Sequence, residues 1–394
     1  MDTTQQRNGA IDMFRGLTMF LMITVNDFWK PHGVPHWLEH FAVMEDGMGL
    51  SDIVYPMFLF AMGMSVPLAL DKRAAKGFST GSTIRHILSR TLALLLMGVF
   101  ICNSDYGVSS IIGYGKGIYW LLMVIGFFLV WGVYPKESRI ARPCRIGGIV
   151  ILAFLAITYR TPDGGLFQAL WWGILGQIGW MYLFCCTSYL LCGKRKWILP
   201  VIWFVLCLVN LSVTPMRDGS QLVGPNFIAD FANALHVDNG HSVILALGGL
   251  LMILAERGMS SWRRPLAVST AACASAVFAL LGALAHVGWI TSKGLGTLPW
   301  VLFSIAISIA VYTLLRILEK HSLTGWFKPL RPCGTATLTV YMIPYFCLSI
   351  WVFANPVMPE WFAGWVGVAG CVLFACQCVG MAWILEKFKI KLKI

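Results

Sequence analysis

The chain has 394 residues, 58% of them hydrophobic and 12% charged, with a mean hydropathy of +0.72. Soluble domains carry about 25% charged residues, so this composition excludes a water-solvated globule and makes lipid the solvent for most of the surface. The net charge of +12 would suit a nucleic-acid binder, but the basic residues gather in the gaps between apolar runs, which excludes that reading.

The first ten residues are polar. The first apolar run, 13–29, is flanked by Asp12 and Arg15 and lacks a small-residue cleavage site, which predicts a retained helix rather than a secretory leader. Further apolar segments follow at 53–70, 84–102, 117–134, 147–159, 169–191, 197–213, 240–255, 266–290, 298–318, 335–353 and 361–385. They predict an all-α polytopic bundle of about twelve membrane helices (ten to twelve). A crossing takes about 17–25 apolar residues, and 147–159 and 240–255 fall short of that. The longest gap, roughly Ser212 to His241, is too short for a soluble domain, so residues 1–394 read as a single transmembrane domain.

Counted on alternate sides of twelve spans, 25 of the 30 Lys and Arg fall on one side. Only Lys30, Lys116, Arg160, Arg217 and Lys293 fall on the other. Cytoplasmic loops carry the positive excess, so both termini are expected in the cytoplasm, with the basic tail 387–394 against anionic lipid head groups. The twelve cysteines lie mostly in apolar runs, without a CxxC pattern, and read as small buried hydrophobes. No internal repeat is visible, which weighs against a secondary transporter.

Acids and histidines cluster in the gaps expected to face outward. The first such gap holds Asp27, His32, His36, Glu39, His40, Glu45, Asp46 and Asp52; another, about 212–241, holds Asp218, Asp230, His236, Asp238 and His241. Histidine exchanges a proton near neutral pH, and a carboxylate on its second ring nitrogen makes it a general base. His32, His36 and His40 would share a helix face only if 32–40 were helical; Gly33 and Pro35 oppose that, and with it a metal site. Asp12 and Arg15 are three apart on one helix face, as an interfacial ion pair or as a polar mouth for an anionic cofactor. Gln177 within an apolar span, Lys293 in an outward loop and Tyr341 within a late span are each unremarkable alone.

The order of motifs resembles the heparan-α-glucosaminide N-acetyltransferase family. It is carried by Ile11–Gly16 (IDMFRG), Val25–Asn26, Asp52–Phe60 (DIVYPMFLF), Gly173–Tyr182, Ser292–Lys293 with Leu295 and Thr297, and Gly334–Tyr341, in family order over nearly the whole chain. The resemblance implies a membrane enzyme that takes acetyl from cytosolic acetyl-CoA and gives it to an extracytoplasmic amine, such as glucosamine or a heparan-type terminal glucosamine. It implies His40, Asp52 and Asn26 as catalytic residues. It implies Arg15, Asp12, Lys293, Tyr341 and Gln177 as cofactor-binding residues, with no metal. A bacterial inner membrane is the expected location, with an amino-sugar or glycan acceptor, a lipid environment, no nucleic acid and room for a homodimer.

The chain departs from the family pattern in three places. The family histidine stands about ten residues before its aspartate, whereas His40 stands twelve before Asp52, which keeps His32 and His36 as weaker candidates. Gly296 replaces a common tryptophan, implying an altered acceptor pocket. A helix pair at about 117–159 is extra. An O-acetyltransferase of envelope polysaccharide and a sugar transporter without acyl transfer are the alternative readings.

Overall fold

A computed structural model describes residues 9–135, 137–222, 240–258, 264–354 and 358–394. Each of the twelve apolar segments is helical. They are α1 (Gly9–Val25), α2 (Leu50–Ala75), α3 (Thr80–Asp105), α4 (Lys116–Trp131), α5 (Ala141–Thr158) and α6 (Ile174–Leu191). Then come α7 (Ile198–Val213), α8 (His241–Gly258), α9 (Arg264–His286) and α10 (Leu298–Lys320). A short α11 (Arg331–Thr335) precedes α12 (Thr337–Ala354) and α13 (Gly364–Lys387). Two-residue strands β1 (Ser109–Ser110) and β2 (Tyr159–Arg160) pair antiparallel.

Among the described residues, nine helices are long and apolar enough to cross a membrane: α2, α3, α5, α6, α8, α9, α10, α12 and α13. The chain is therefore a multi-pass helical membrane protein. The two segments that looked short, 147–159 and 240–255, become helices of 18 residues each. Both extend through polar residues that an apolar count passes over: Arg142 and Arg145 in the first turns of α5, Glu256 and Arg257 in the last turn of α8. Conversely, α1 stops at Val25, and Asp27, Phe28 and Lys30 donate their amides three residues back in tight turns.

The described residues form two compact units. One comprises residues up to Thr18, Pro35–Leu88 and Trp180–Lys328; the other comprises Met19–Val34, Ser89–Gly179 and Pro329–Ile394.

The first unit is built on close helix crossings. A Cβ added at Gly63 of α2 would lie 1.8 Å from the Ala246 carbonyl oxygen, and one at Gly249 of α8 would lie 1.9 Å from that of Phe60. In lipid, small residues let two backbones approach where no hydrophobic force drives them together. Gly63→Ala is therefore expected to destabilise this unit by about 1–3 kcal/mol or more. Gly147→Ala in α5, where a Cβ meets nothing within 4 Å, should instead be neutral or stabilising by up to about 1 kcal/mol. Thermal unfolding in detergent checks both, and equal effects of the two substitutions would contradict the crossing.

The second unit holds α4, α5, α11, α12 and α13 together with the end of α1, most of α3 and the start of α6. Several of its polar groups are satisfied locally. The Asn103 side chain donates to Val99 and Gln168 carbonyls at 2.8 Å each and accepts the Gln168 amide at 3.0 Å. Lys30 is buried 2.6 Å from Asp27 Oδ1, with its ammonium over the rings of Trp351 and Phe374.

Candidate active site

Asp52 occupies the first turn of α2, where the helix dipole favours an anion. Its side chain is 2% exposed, and three donors converge on it. Oδ2 accepts the amides of Gly49 and Phe41, each at 3.1 Å, and Oδ1 lies 2.6 Å from His40 Nδ1. A carboxylate so surrounded is an acceptor only, so Nδ1 carries the imidazole proton and Nε2 is left basic. The His40 side chain is 51% exposed, and Nε2 has no hydrogen-bond partner among the described residues.

The DIVYP motif explains why Asp52 is so well held. Pro56 has no N–H to give to the Asp52 carbonyl four residues back, which would leave a buried acceptor unpaired. The indole N–H of fully buried Trp300 takes that place, donating to the Asp52 carbonyl at 3.1 Å. Ser51 Oγ donates to the Leu38 carbonyl at 2.6 Å, fixing the start of the loop that carries His40.

Lys293 completes the group from a distant part of the sequence. Its Nζ is 3.2 Å from His40 Nδ1 and 3.7 Å from Asp52 Oδ1. Because the Nδ1 proton already serves Asp52, the ammonium acts on this pair as a nearby positive charge. Three contacts dock the loops that carry His40 and Lys293. Gly47 donates its amide to the Thr291 carbonyl (2.9 Å), Asp46 Oδ1 accepts the Thr291 amide (2.8 Å), and Ser292 Oγ donates to the Val43 carbonyl (2.6 Å). Asp46 also pairs with Arg217 at 2.8 Å, and Arg217 lies 2.8 Å from His286 Nε2. A cavity of about 340 Å³ opens here, lined by Asp46, Gly47, Met48, His286, Thr291 and Phe303.

Burial pushes the Lys293 pKa down, and the Asp52 charge pulls it partly back. The native protein thus releases this proton at a lower pH than the unfolded chain does. Between the depressed native pKa and about 10.4 the unfolded state binds more protons, so stability rises with pH in that window. Lys293→Met removes the rise, and wild type should gain on the variant as pH increases. Paired thermal melts across the alkaline range test this; a gap that stays constant contradicts it.

The other histidines of the first loop stand differently. His36 lies 2.6 Å from Glu45 and stacks on Phe41, both members of the ion pair being exposed. The Ala42 amide and then His36 hold the Glu45 pKa below its usual value. His32 belongs to the second unit, where its carbonyl accepts the Gly364 amide. Only a single 3-10 turn, His36–Leu38, forms in this loop.

Of the residues expected from the sequence, His40, Asp52 and Lys293 are brought together in the first unit. Asp12 and Arg15, half-buried on α1, are in the same unit. Asn26 and Tyr341 line a cavity of about 460 Å³ in the second unit. Gln177, in the first turn of α6, is also in the second unit and half-buried. Gly296 adopts φ +60°, and a Cβ there would lie 2.4 Å from the His241 ring, so this packing requires a glycine. Asp230, His236 and Asp238 lie outside the described residues. Asp46 stood in the acidic cluster of the first gap without a role of its own, and Thr291 and Trp300 were not singled out in the sequence; the missing N–H of Pro56 is the one signal that pointed to a donor such as Trp300.

Comparison with known proteins agrees with the motif resemblance. Mouse heparan-alpha-glucosaminide N-acetyltransferase is 27% identical over 155 residues, covering 36% of this chain and 22% of that protein. The human protein of the same name is 31% identical over 97 residues, covering 25% of this chain and 14% of its own. The chain thus matches less than a quarter of the length of either relative. The family described as "Domain of unknown function (DUF5009)" matches residues 7–221. That match takes in α1 to α7, the His40 loop and Asp52, and covers more than half of the chain, which therefore belongs to this family.

Proposed function

We propose that the protein is a transmembrane acetyltransferase that moves acetyl from cytosolic acetyl-CoA to the amine of an extracytoplasmic amino sugar such as glucosamine. The observation that carries this reading is the His40–Asp52 pair, with Nδ1 bound to a buried carboxylate and Nε2 open. An acceptor amine must be unprotonated to attack. As its nitrogen bonds to the thioester carbonyl carbon, His40 Nε2 takes the amine proton, the C–S bond breaks and the thiolate of CoA leaves. Lys293, beside His40, supplies positive charge where the carbonyl oxygen becomes negative or where an anionic acceptor group binds. His40 carrying the acetyl itself is the other route, and parallel initial-rate lines would identify it.

In this reading Asn26 assists at the acetyl oxygen. Asp12, Arg15, Gln177 and Tyr341 serve the cofactor, and the protein sits in a bacterial inner membrane with cytoplasmic termini. Vesicles containing the purified protein test it. Labelled acetyl-CoA is supplied on one face only and glucosamine on the other. Labelled N-acetylglucosamine on the acceptor side supports the proposal. Uptake of unmodified sugar without acetyl-CoA overturns it in favour of a transporter, and label on hydroxyls in place of amines makes it an O-acetyltransferase.

A further inference from the structure

The cavity of the second unit contains two opposite charges that do not meet. Asp105 and Lys116 both line it, together with Asn26 and the aromatic side chains of Trp120, Tyr341 and Tyr345. Asp105 feels Lys116 only at a distance, and its carboxylate makes no hydrogen bond or ion pair among the described residues. Lys116 has its ammonium 4.7 Å from the Trp120 ring centre and no direct anionic partner among the same residues. Their positions on the helices compound the cost. Asp105 is the last residue of α3 and Lys116 the first of α4. A helix end repels charge of its own sign: the C-terminus disfavours an anion and the N-terminus a cation. Both residues thus carry the sign their helix end opposes.

Such an arrangement is destabilising unless something else uses it. We infer that this cavity binds a small zwitterion, a molecule with an ammonium group for Asp105 and an anionic group for Lys116 on one sugar-sized frame. The volume of about 460 Å³ lies in the range of small-molecule sites. The aromatic walls offer flat apolar faces with polar edges, and the Asn26 amide offers both donor and acceptor. The inference concerns binding alone and does not depend on the acyl transfer proposed above.

Binding is measured by calorimetry on the full chain in detergent, without acetyl-CoA, using glucosamine 6-phosphate, glucosamine, glucose 6-phosphate and glucose. Glucosamine 6-phosphate should bind at least about tenfold more tightly than either singly charged sugar, the gain expected of one charge-assisted contact. Asp105→Asn should reduce its affinity to that of glucose 6-phosphate, and Lys116→Gln to that of glucosamine. Without ligand, both variants should melt at or above the wild-type temperature, because each removes a charge its helix end opposes. Equal binding of all four sugars, binding of none, or variants that bind the zwitterion as wild type does overturns the inference. Variants that melt well below wild type also overturn it, since the charges would then be structural.

Discussion

His40→Ala is expected to lower kcat for the proposed acetyl transfer by about 10²–10⁴-fold, the usual contribution of a positioned base. Acetyl-CoA binding and thermal stability should stay near wild type. The fold should tolerate the change because the imidazole is half-exposed and its one strong bond is to Asp52. Asp52 keeps two backbone donors and the neighbouring Lys293 ammonium, so the loss of His40 does not strand a buried charge. Steady-state kinetics with a parallel melt separates the two quantities. A variant that loses rate only in proportion to lost folded protein contradicts a chemical role.

Asp52→Asn should give a loss of similar size by a different route. The carboxylate uses Oδ2 for two amides and Oδ1 for His40; asparagine has one oxygen. If that oxygen stays with Gly49 and Phe41, the amide NH₂ faces Nδ1, which must then accept. The proton moves to Nε2, and the ring can no longer act as a base. A swap of this kind in the serine-protease triad costs about 10⁴ in rate through the wrong tautomer, and about 10²–10⁴-fold is expected here. If the amide turns the other way, two buried N–H groups lose their partner, at about 1–3 kcal/mol each. The first orientation is favoured, so rate should fall while the melting temperature changes little. A large melting shift with the rate of the remaining folded protein intact would contradict the tautomer argument.

Much of the fold could be read from the sequence because lipid demands continuous apolar runs, and such runs announce themselves one segment at a time. Every expected segment is a helix, and errors fall at the ends. There, Arg142 and Glu256 continue a helix that an apolar count cuts short, and Asn26 and Asp27 leave one that the count prolongs. The candidate site was legible only in part. The sequence places His40 and Asp52 twelve residues apart in one gap, but three histidines with acids nearby look alike in one dimension. Only in the structure does His36 pair with an exposed Glu45 while His40 pairs with a buried carboxylate.

Lys293 joins His40 from 253 residues away, a pairing no local pattern encodes. Asp105 and Lys116 each look like an ordinary charge at a helix end; their significance appears when they are found facing one cavity without a direct partner among the described residues. Gly63 and Gly249 are likewise two of 39 glycines until the crossing of α2 and α8 is seen.

The most direct test of the proposed acetyl transfer uses purified wild-type protein and His40→Ala in detergent with radiolabelled acetyl-CoA and glucosamine. Labelled N-acetylglucosamine is expected from wild type and at most about a hundredth of that rate from the variant, with acetyl-CoA bound equally by both. Transfer at the wild-type rate by His40→Ala would contradict the assignment of the His40–Asp52 pair as the centre of the reaction.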